Sequence, residues 1–345
     1  MLTMEEISDA AGRLIRQLGE TSGFAIDAIP GGANNRVFRI HVEGRSYFLK
    51  CYRRHPEEPL DRLSHDWSFS SFAWQNGFRN VAQPLVKDEA NALGLFGFVD
   101  GKRLAPYEIE SNHLQDAAGF FRDLNRFRRQ SEAAALPFSY EAGFSVDAIL
   151  SRIDSRVQML QQIIPSSPAS EAALALFQNS LQPKWNSTCE AVTRQYSPSD
   201  RGAELSTEER CLSPVDFGLH NTLALPDGKL LFHDFEYAGW DDPARMACDF
   251  FCQMQLPAPK EFADEFLTAA FAEFLNPEEV RQRASALWPA FRIHWICTVL
   301  TDFLPPSLTR PRYAGQPPSE LRKTRQLEMA ELLLSRRLND PPWSR

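Results

Sequence analysis

The chain has 345 residues, 43% of them hydrophobic and 24% charged, with 45 Asp and Glu against 37 Lys and Arg for a formal net charge of −8. That length is too great for one small core and predicts two packed subdomains of roughly 100 and 250 residues, while the near-average composition excludes a disordered, collagenous or coiled-coil chain. The acidic balance argues against non-specific nucleic-acid binding, and the longest apolar run, around Leu93–Val99, is far short of the roughly 18 residues that a membrane-spanning helix needs. The opening stretch, MLTMEEISDAAG, carries acid where a signal peptide needs basic residues and an apolar block. Cys51, Cys189, Cys211, Cys248, Cys252 and Cys297 form no CxxC pair and read as free thiols of a reducing compartment. The expectation is a soluble, cytoplasmic chain without a nucleic-acid or membrane partner.

Thr3-x-x-Glu6 reads as a capping box, followed by Ile7, Ala11, Leu14, Ile15 and Leu18 at helical spacing and Gly19 as a stop. Three strand-like runs come next, Phe24–Ile29, Arg36–Val42 and Arg45–Tyr52, the last two joined by a Glu43-Gly44 turn. A helix is predicted over Arg62–Gln75, then strands at Val81–Val86 and Leu93–Val99 around a turn at Asp88–Asn91. From about Asn112 the pattern turns helical, clearest at Leu114–Arg128 and Val146–Ile164, with loops at Pro165–Ser170 and Gln195–Gly202. A short β-rich interruption spans Pro214–Phe235, where Leu223–Leu225 and Leu230–His233 flank Pro226-Asp227-Gly228; helices then resume.

Three pieces carry chemistry. Pro30-Gly31-Gly32-Ala33-Asn34-Asn35 lies between the first two strands, where Gly31 and Gly32 let backbone N–H groups approach an anion and Asn34 and Asn35 tolerate turn geometry. Lys50 ends the third strand, one strand after this loop, which is where a nucleotide kinase holds the α- and β-phosphates. Its ammonium needs an acid from the following helix; Asp66 is the candidate, with Glu57 and Glu58 as the fallback. The third piece is Asp216-x-x-x-x-Asn221 followed by Asp234 in His233-Asp234-Phe235-Glu236. Phosphoryl transfer needs a carboxylate near the attacking hydroxyl and hard oxygen ligands for Mg²⁺, and these three side chains can supply them.

In this order the pieces resemble the aminoglycoside phosphotransferase and choline kinase superfamily, relatives of the protein kinases, over roughly Gly31 to Asp249. The resemblance implies an α+β, bilobal protein-kinase-like fold, with a small antiparallel β-rich N-lobe over 1–99 and a large, mainly helical C-lobe over 100–345. It implies that Lys50 positions the nucleotide phosphates, that Asp216 is the base, and that Asn221 and Asp234 are the Mg²⁺ ligands. Phe96-Gly97-Phe98-Val99 looks like the linker strand, whose backbone would bond the adenine while Phe96 and Phe98 cover its face. Asp242-Pro243 followed by Asp249 looks like a structural run, with Asp242 a helix cap. The implied reaction moves the γ-phosphate of ATP, or of GTP as the alternative nucleotide, to a hydroxyl of a small-molecule acceptor. The rival reading is a kinase fold that binds nucleotide without catalysis.

The chain departs from the family pattern in four places. The usual His-Gly-Asp is Pro214-Val215-Asp216, with His220 close by in sequence. The helix acid is Asp66 instead of Glu, one methylene shorter, which predicts a looser or water-mediated pair with Lys50. The metal motif reads Asp-Phe-Glu instead of Asp-Phe-Gly, and Asn125 stands where relatives often have a histidine. Only seven residues separate Asp234 from Asp242, too few for the activation segment of a regulated protein kinase. Trp240, Trp288, Trp295 and Phe303 suit core packing better than a cation-binding pocket. No HExxH and no G-x-S-x-G elbow occurs, so metalloprotease and serine hydrolase readings fall.

Overall fold

Helix α1 (Met4–Gln17) opens the computed structural model, which describes residues 2–30, 35–54, 60–305, 308 and 319–344. Its capping box is formed, with Thr3 N donating to Glu6 Oε2 and Glu6 N to Thr3 Oγ1. Five antiparallel strands follow in the order β1-β2-β3-β5-β4: β1 (Ala25–Ile29), β2 (Arg36–Val42), β3 (Arg45–Cys51), β4 (Pro84–Asp88) and β5 (Leu93–Gly97), with α2 (Arg62–Gln75) inserted between β3 and β4. Strand alternation divides the sheet into two faces. Phe38, Ile40, Val42, Leu49, Cys51, Leu93 and Leu95 bury against Ile7, Ala10, Ala11, Leu14 and Ile15 of α1. The register Val37↔Lys50↔Gly94 puts Lys50 on the other face.

The helical lobe begins after β5, where Lys102 and Ala224 exchange backbone hydrogen bonds at 3.0 and 2.8 Å. Its elements are α3 (Ser111–Arg126), α4 (Val146–Met159), α5 (Pro168–Leu176), α6 (Gln182–Thr193), α7 (Pro198–Gly202), β6 (Cys211–Ser213), β7 (Thr222–Ala224), β8 (Leu230–Phe232), β9 (Gly239–Asp241), α8 (Pro243–Cys252), α9 (Ala263–Ala270), α10 (Pro277–Leu300) and α11 (Glu320–Ser335). All ten residues of α8 are buried, and the helix packs along α10. Asp242 caps α8, accepting from Ala244 N at 2.8 Å and from Arg283 Nε at 2.8 Å. Trp240, Trp288 and Phe303 are core residues, whereas Trp295 is partly buried and donates to Asp249 at 2.8 Å. Among the described residues no helix is long and apolar enough to cross a membrane.

The expected bilobal α+β architecture is present; several local expectations are not. Both predicted loops contain helices, because Ser167-Pro168 and Ser197-Pro198 act as N-cap and first helical residue of α5 and α7. The predicted strand at Val81 starts instead at Pro84, and Val81 makes a parallel bridge to Phe232. Strands β6 and β9 are three residues each, too short for a periodic signal, and their pairing sets Ser213 opposite Gly239. At Gly239 an added Cβ would lie 2.3 Å from the Pro137 carbonyl, so only glycine lets segment 137–139 hydrogen-bond alongside β9.

Asn125, fully buried near the end of α3, ties this region together. Its Oδ1 accepts from Leu212 N at 2.8 Å, and its Nδ2 donates to Leu212 O at 3.0 Å and to Phe121 O at 2.9 Å. The amide thus acts as an extra strand residue for β6, which leads into the Asp216 loop. Asn125→Leu orphans both Leu212 groups and should cost about 3 kcal/mol, measurable as a lower urea midpoint with an unchanged slope.

Candidate active site

Lys50 is the centre of the site. Its Nζ donates to Asp66 Oδ2 at 2.5 Å and to Asp234 Oδ1 at 2.7 Å. Asp66 also accepts from Tyr52 Oη at 2.9 Å and Ser70 Oγ at 3.2 Å. The expected looseness of the shorter acid is thereby corrected: α2, packed over β4 and β5, sets Asp66 directly against Lys50 and Tyr52, two residues apart on one face. The same stripe of α2 grips the segment after Asp234. Arg62 Nε lies 3.5 Å from Glu236 Oε2, His65 Nδ1 donates to the Ala238 carbonyl at 2.8 Å, and Phe69 stacks against Phe235 at 4.9 Å between centroids. Asn35, at the end of the glycine-rich segment, donates to Glu236 Oε2 at 2.6 Å. Gly31, Gly32, Ala33 and Asn34, with Glu57 and Glu58, lie outside the described residues.

Burial by itself would strip the Lys50 proton, but the charges of Asp234, Asp66 and Glu236 outweigh it and hold the ammonium above the ordinary lysine range. Burial would raise Asp234, and the adjacent Lys50 instead brings it below its ordinary value. Burial lowers the neighbouring His233 to about 4, so this imidazole is neutral at pH 7. Glu236, 1% exposed, is pushed up to about 7 by burial and then by the Asp234 charge.

The register Thr222↔Phe232, with His233 N donating to Asn221 O at 3.2 Å, brings Asn221 to the open end of the β7–β8 hairpin beside Asp234. Val215, Asp216 and Asp234 all adopt left-handed backbone, with φ of +46°, +49° and +71°. That conformation is costly for a β-branched residue such as Val215 and is held by the surrounding contacts. Asn221 Nδ2 donates to the Asp216 carbonyl at 3.1 Å and lies 3.4 Å from Asp216 Oδ2. On its other side Asp216 Oδ1 faces Gln253 Nε2 at 3.1 Å and His220 Nε2 at 3.3 Å.

In the linker, Gly97 N donates to Gln83 O at 2.8 Å. Phe96 is buried against Trp67, with ring centroids 5.6 Å apart, and the Arg39 guanidinium sits 4.1 Å over Phe98. Val99 is partly exposed. Among the described residues no three His, Cys, Asp or Glu side chains form a metal cage. Asp234 Oδ2 and Asn221 Oδ1 accept no hydrogen bond from described residues, which leaves one carboxylate and one amide oxygen open on adjacent strand ends. Such a sparse, hard-oxygen pair fits Mg²⁺, which keeps waters and phosphate oxygens as its other ligands.

Sequence reasoning missed Glu236, Arg62 and Gln253. Glu236 was visible as a departure in the Asp-Phe-Glu motif but carried no sign of its partners. Tyr52 could have been found from strand alternation, two residues beyond Lys50. Gln253, 37 residues after Asp216, had no signal at all.

With this geometry in hand, comparison with solved structures places the fold. The chain aligns with spectinomycin phosphotransferase in complex with ADP and spectinomycin at a TM-score of 0.62, with 13% identity over 94% of this chain and 97% of that one. It aligns with choline kinase from Cryptosporidium parvum at 0.60, with 12% identity over 96% and 95%, and with a choline/ethanolamine kinase family protein from Mesorhizobium loti at 0.59, with 16% identity over 96% of each chain. No protein-family model and no curated protein matches the sequence. The chain thus shares the bilobal protein-kinase-like fold of these structures.

The Glu236 carboxyl gives a testable pH dependence in the metal-free protein. Its folded value near 7 lies above the ordinary 4.5, so between these pH values the folded chain holds a proton that the unfolded chain has released. Stability from this group therefore falls as pH rises from 4.5 to 7. Glu236→Gln removes that slope. Urea unfolding in a chelator should show the variant gaining on wild type between pH 5 and pH 8; equal differences at both would refute the assignment.

Proposed function

We propose that this chain is a small-molecule kinase that transfers the γ-phosphate of ATP to a hydroxyl of a small acceptor. The observation that carries the reading is Lys50 bound at once to Asp66 and Asp234, beside a loop that presents Asp216 and Asn221. Phosphoryl transfer is mostly positioning and electrostatics, and this constellation supplies both. Lys50, held charged and fixed in direction by its two carboxylates, would neutralise the nucleotide phosphates. Backbone N–H groups of the loop with Gly31 and Gly32, flanked by Asn34 and Asn35, would cover them. The linker Phe96–Val99, at the boundary between N-lobe 1–99 and C-lobe 100–345, would present its backbone to the base.

Asn221 Oδ1 and Asp234 Oδ2 would hold Mg²⁺, which when bound neutralises charge building on the phosphate oxygens. Asp216 would accept the proton of the acceptor hydroxyl as it attacks. The acceptor is a small molecule because only seven residues lie between Asp234 and Asp242, and three of them form β9. The aligned structures are likewise named as kinases of choline, ethanolamine or spectinomycin. Such a kinase would work in the cytoplasm, where ATP and Mg²⁺ are supplied.

Two measurements test this. ATP with Mg²⁺ at about a hundred times its dissociation constant should add about 2.7 kcal/mol of stability and raise the melting temperature by several degrees, and Asp234→Ala should abolish the shift. Asp216→Asn should keep the nucleotide shift while ADP formation with a screened acceptor falls by about a hundredfold or more. A nucleotide shift with no ADP formation by wild type across acceptors would favour a binding protein instead.

A further inference from the structure

We propose that Gln253, backed by His220, is a positioning residue for Asp216: its amide donates to Asp216 Oδ1 and to the His220 ring, so that Oδ2 is the oxygen presented to the acceptor hydroxyl. The inference rests on the kinase reading and assigns the oxygen within it. Gln253 ends α8, its backbone N bonded to Asp249 O at 3.0 Å. Its side-chain Oε1 accepts from Met254 N at 2.6 Å and Gln255 N at 2.8 Å. Two main-chain donors on the oxygen decide which way the amide points, and Nε2 is left facing Asp216 Oδ1 at 3.1 Å. An uncharged donor held in this way orients the carboxylate without pairing off its charge.

His220 approaches the same oxygen from the loop itself. Its Nδ1 is buried without a partner against Gly218, where an added Cβ would stand 2.8 Å away. Its Nε2 lies 3.3 Å from Asp216 Oδ1 and 3.2 Å from Gln253 Nε2, and because an amide nitrogen can only donate, the ring nitrogen accepts the second Gln253 hydrogen. The Gln253 amide thus spans Asp216 Oδ1 and the His220 ring, one hydrogen to each. Asp216 Oδ2 has only the long 3.4 Å approach of Asn221 Nδ2, and the Asp216 side chain is 37% exposed, so Oδ2 is the open face. Pro214 occupies the position of the usual loop histidine, and the amide at the end of α8, itself bonded to the ring four residues downstream of Asp216, does the holding.

The test is kcat and nucleotide KM, followed as ADP release, in wild type, Gln253→Glu, His220→Leu and His220→Gln, with melting temperatures. Gln253→Glu keeps an oxygen for the Met254 and Gln255 amides but sets a second carboxylate oxygen against Asp216 in place of the donor, and the melting temperatures report whether the fold survives. Both Gln253→Glu and His220→Leu should lose about tenfold to a hundredfold in kcat with nucleotide KM nearly unchanged, and His220→Gln, which restores an acceptor for the Gln253 amide, should recover most of the loss. The inference is overturned if kcat in both variants stays within about twofold of wild type, if KM and kcat fall together, or if His220→Gln is as slow as His220→Leu. A wild-type chain that neither binds nucleotide nor releases ADP sinks the kinase reading and this inference with it. A wild-type chain that turns over while the variants keep pace sinks the inference alone.

Discussion

A single buried ammonium, that of Lys50, allows three carboxyl groups, two of them buried, to share one end of the interlobe region. Asp66 comes from α2, and Asp234 and Glu236 from the segment after β8, and the buried Asp66 and Glu236 would be costly to ionise out of water. Lys50 touches the first two and lowers the cost of the third through its field. The sheet, α2 and the helical lobe therefore meet around this charge, with Arg62 of α2 a second buried cation beside Glu236. The contacts from Arg62, His65 and Phe69 to residues 235–238 extend that junction along a full stripe of α2. In this structure α2 is joined to the segment that bears Asp234, and the Lys50–Asp66 pair is formed.

The second constraint is backbone strain in the loops that carry the oxygens. Val215, Asp216 and Asp234 sit in left-handed conformations that L residues avoid, and the surroundings must outweigh that cost. Asn125 holds the incoming β6 strand through both backbone groups of Leu212. Asp242, capping α8 and bonded to Arg283, holds the outgoing side. Gly239 and Gly218 serve the same end by their missing side chains: one admits segment 137–139 beside β9, the other admits His220 beneath Asp216. Strain at the site is thus supported by a hydrogen-bonded frame behind it.

Much of the fold could be read from local pattern. Helix α1 with its capping box, strands β2 and β3 with their tight turn, and helix α2 fall where periodicity and turn chemistry put them. Loops were misread where a Ser-Pro pair starts a helix too short to show a period, and β6 and β9 were invisible because three residues carry no alternation. In the candidate site, the sequence named Lys50, Asp66, Asp216, Asn221 and Asp234 as residue types in a given order, and the structure brings Lys50 to Asp66 and Asp234, and Asp216 to Asn221.

Order and spacing along the chain therefore determined the chemical inventory, because residue type and local periodicity are properties of neighbours in sequence. Partners were decided only in three dimensions. Asn35 with Glu236, Asn125 with Leu212 and Asp216 with Gln253 are 201, 87 and 37 residues apart, and none is linked by a repeat that a sequence could display. Which oxygen of a carboxylate is engaged and which is left open depends on what packs against it. That packing is set by the seat of α2 over β4 and β5 and by the approach of the end of α8 to the Asp216 loop, and burial then turns each such contact into a large electrostatic term.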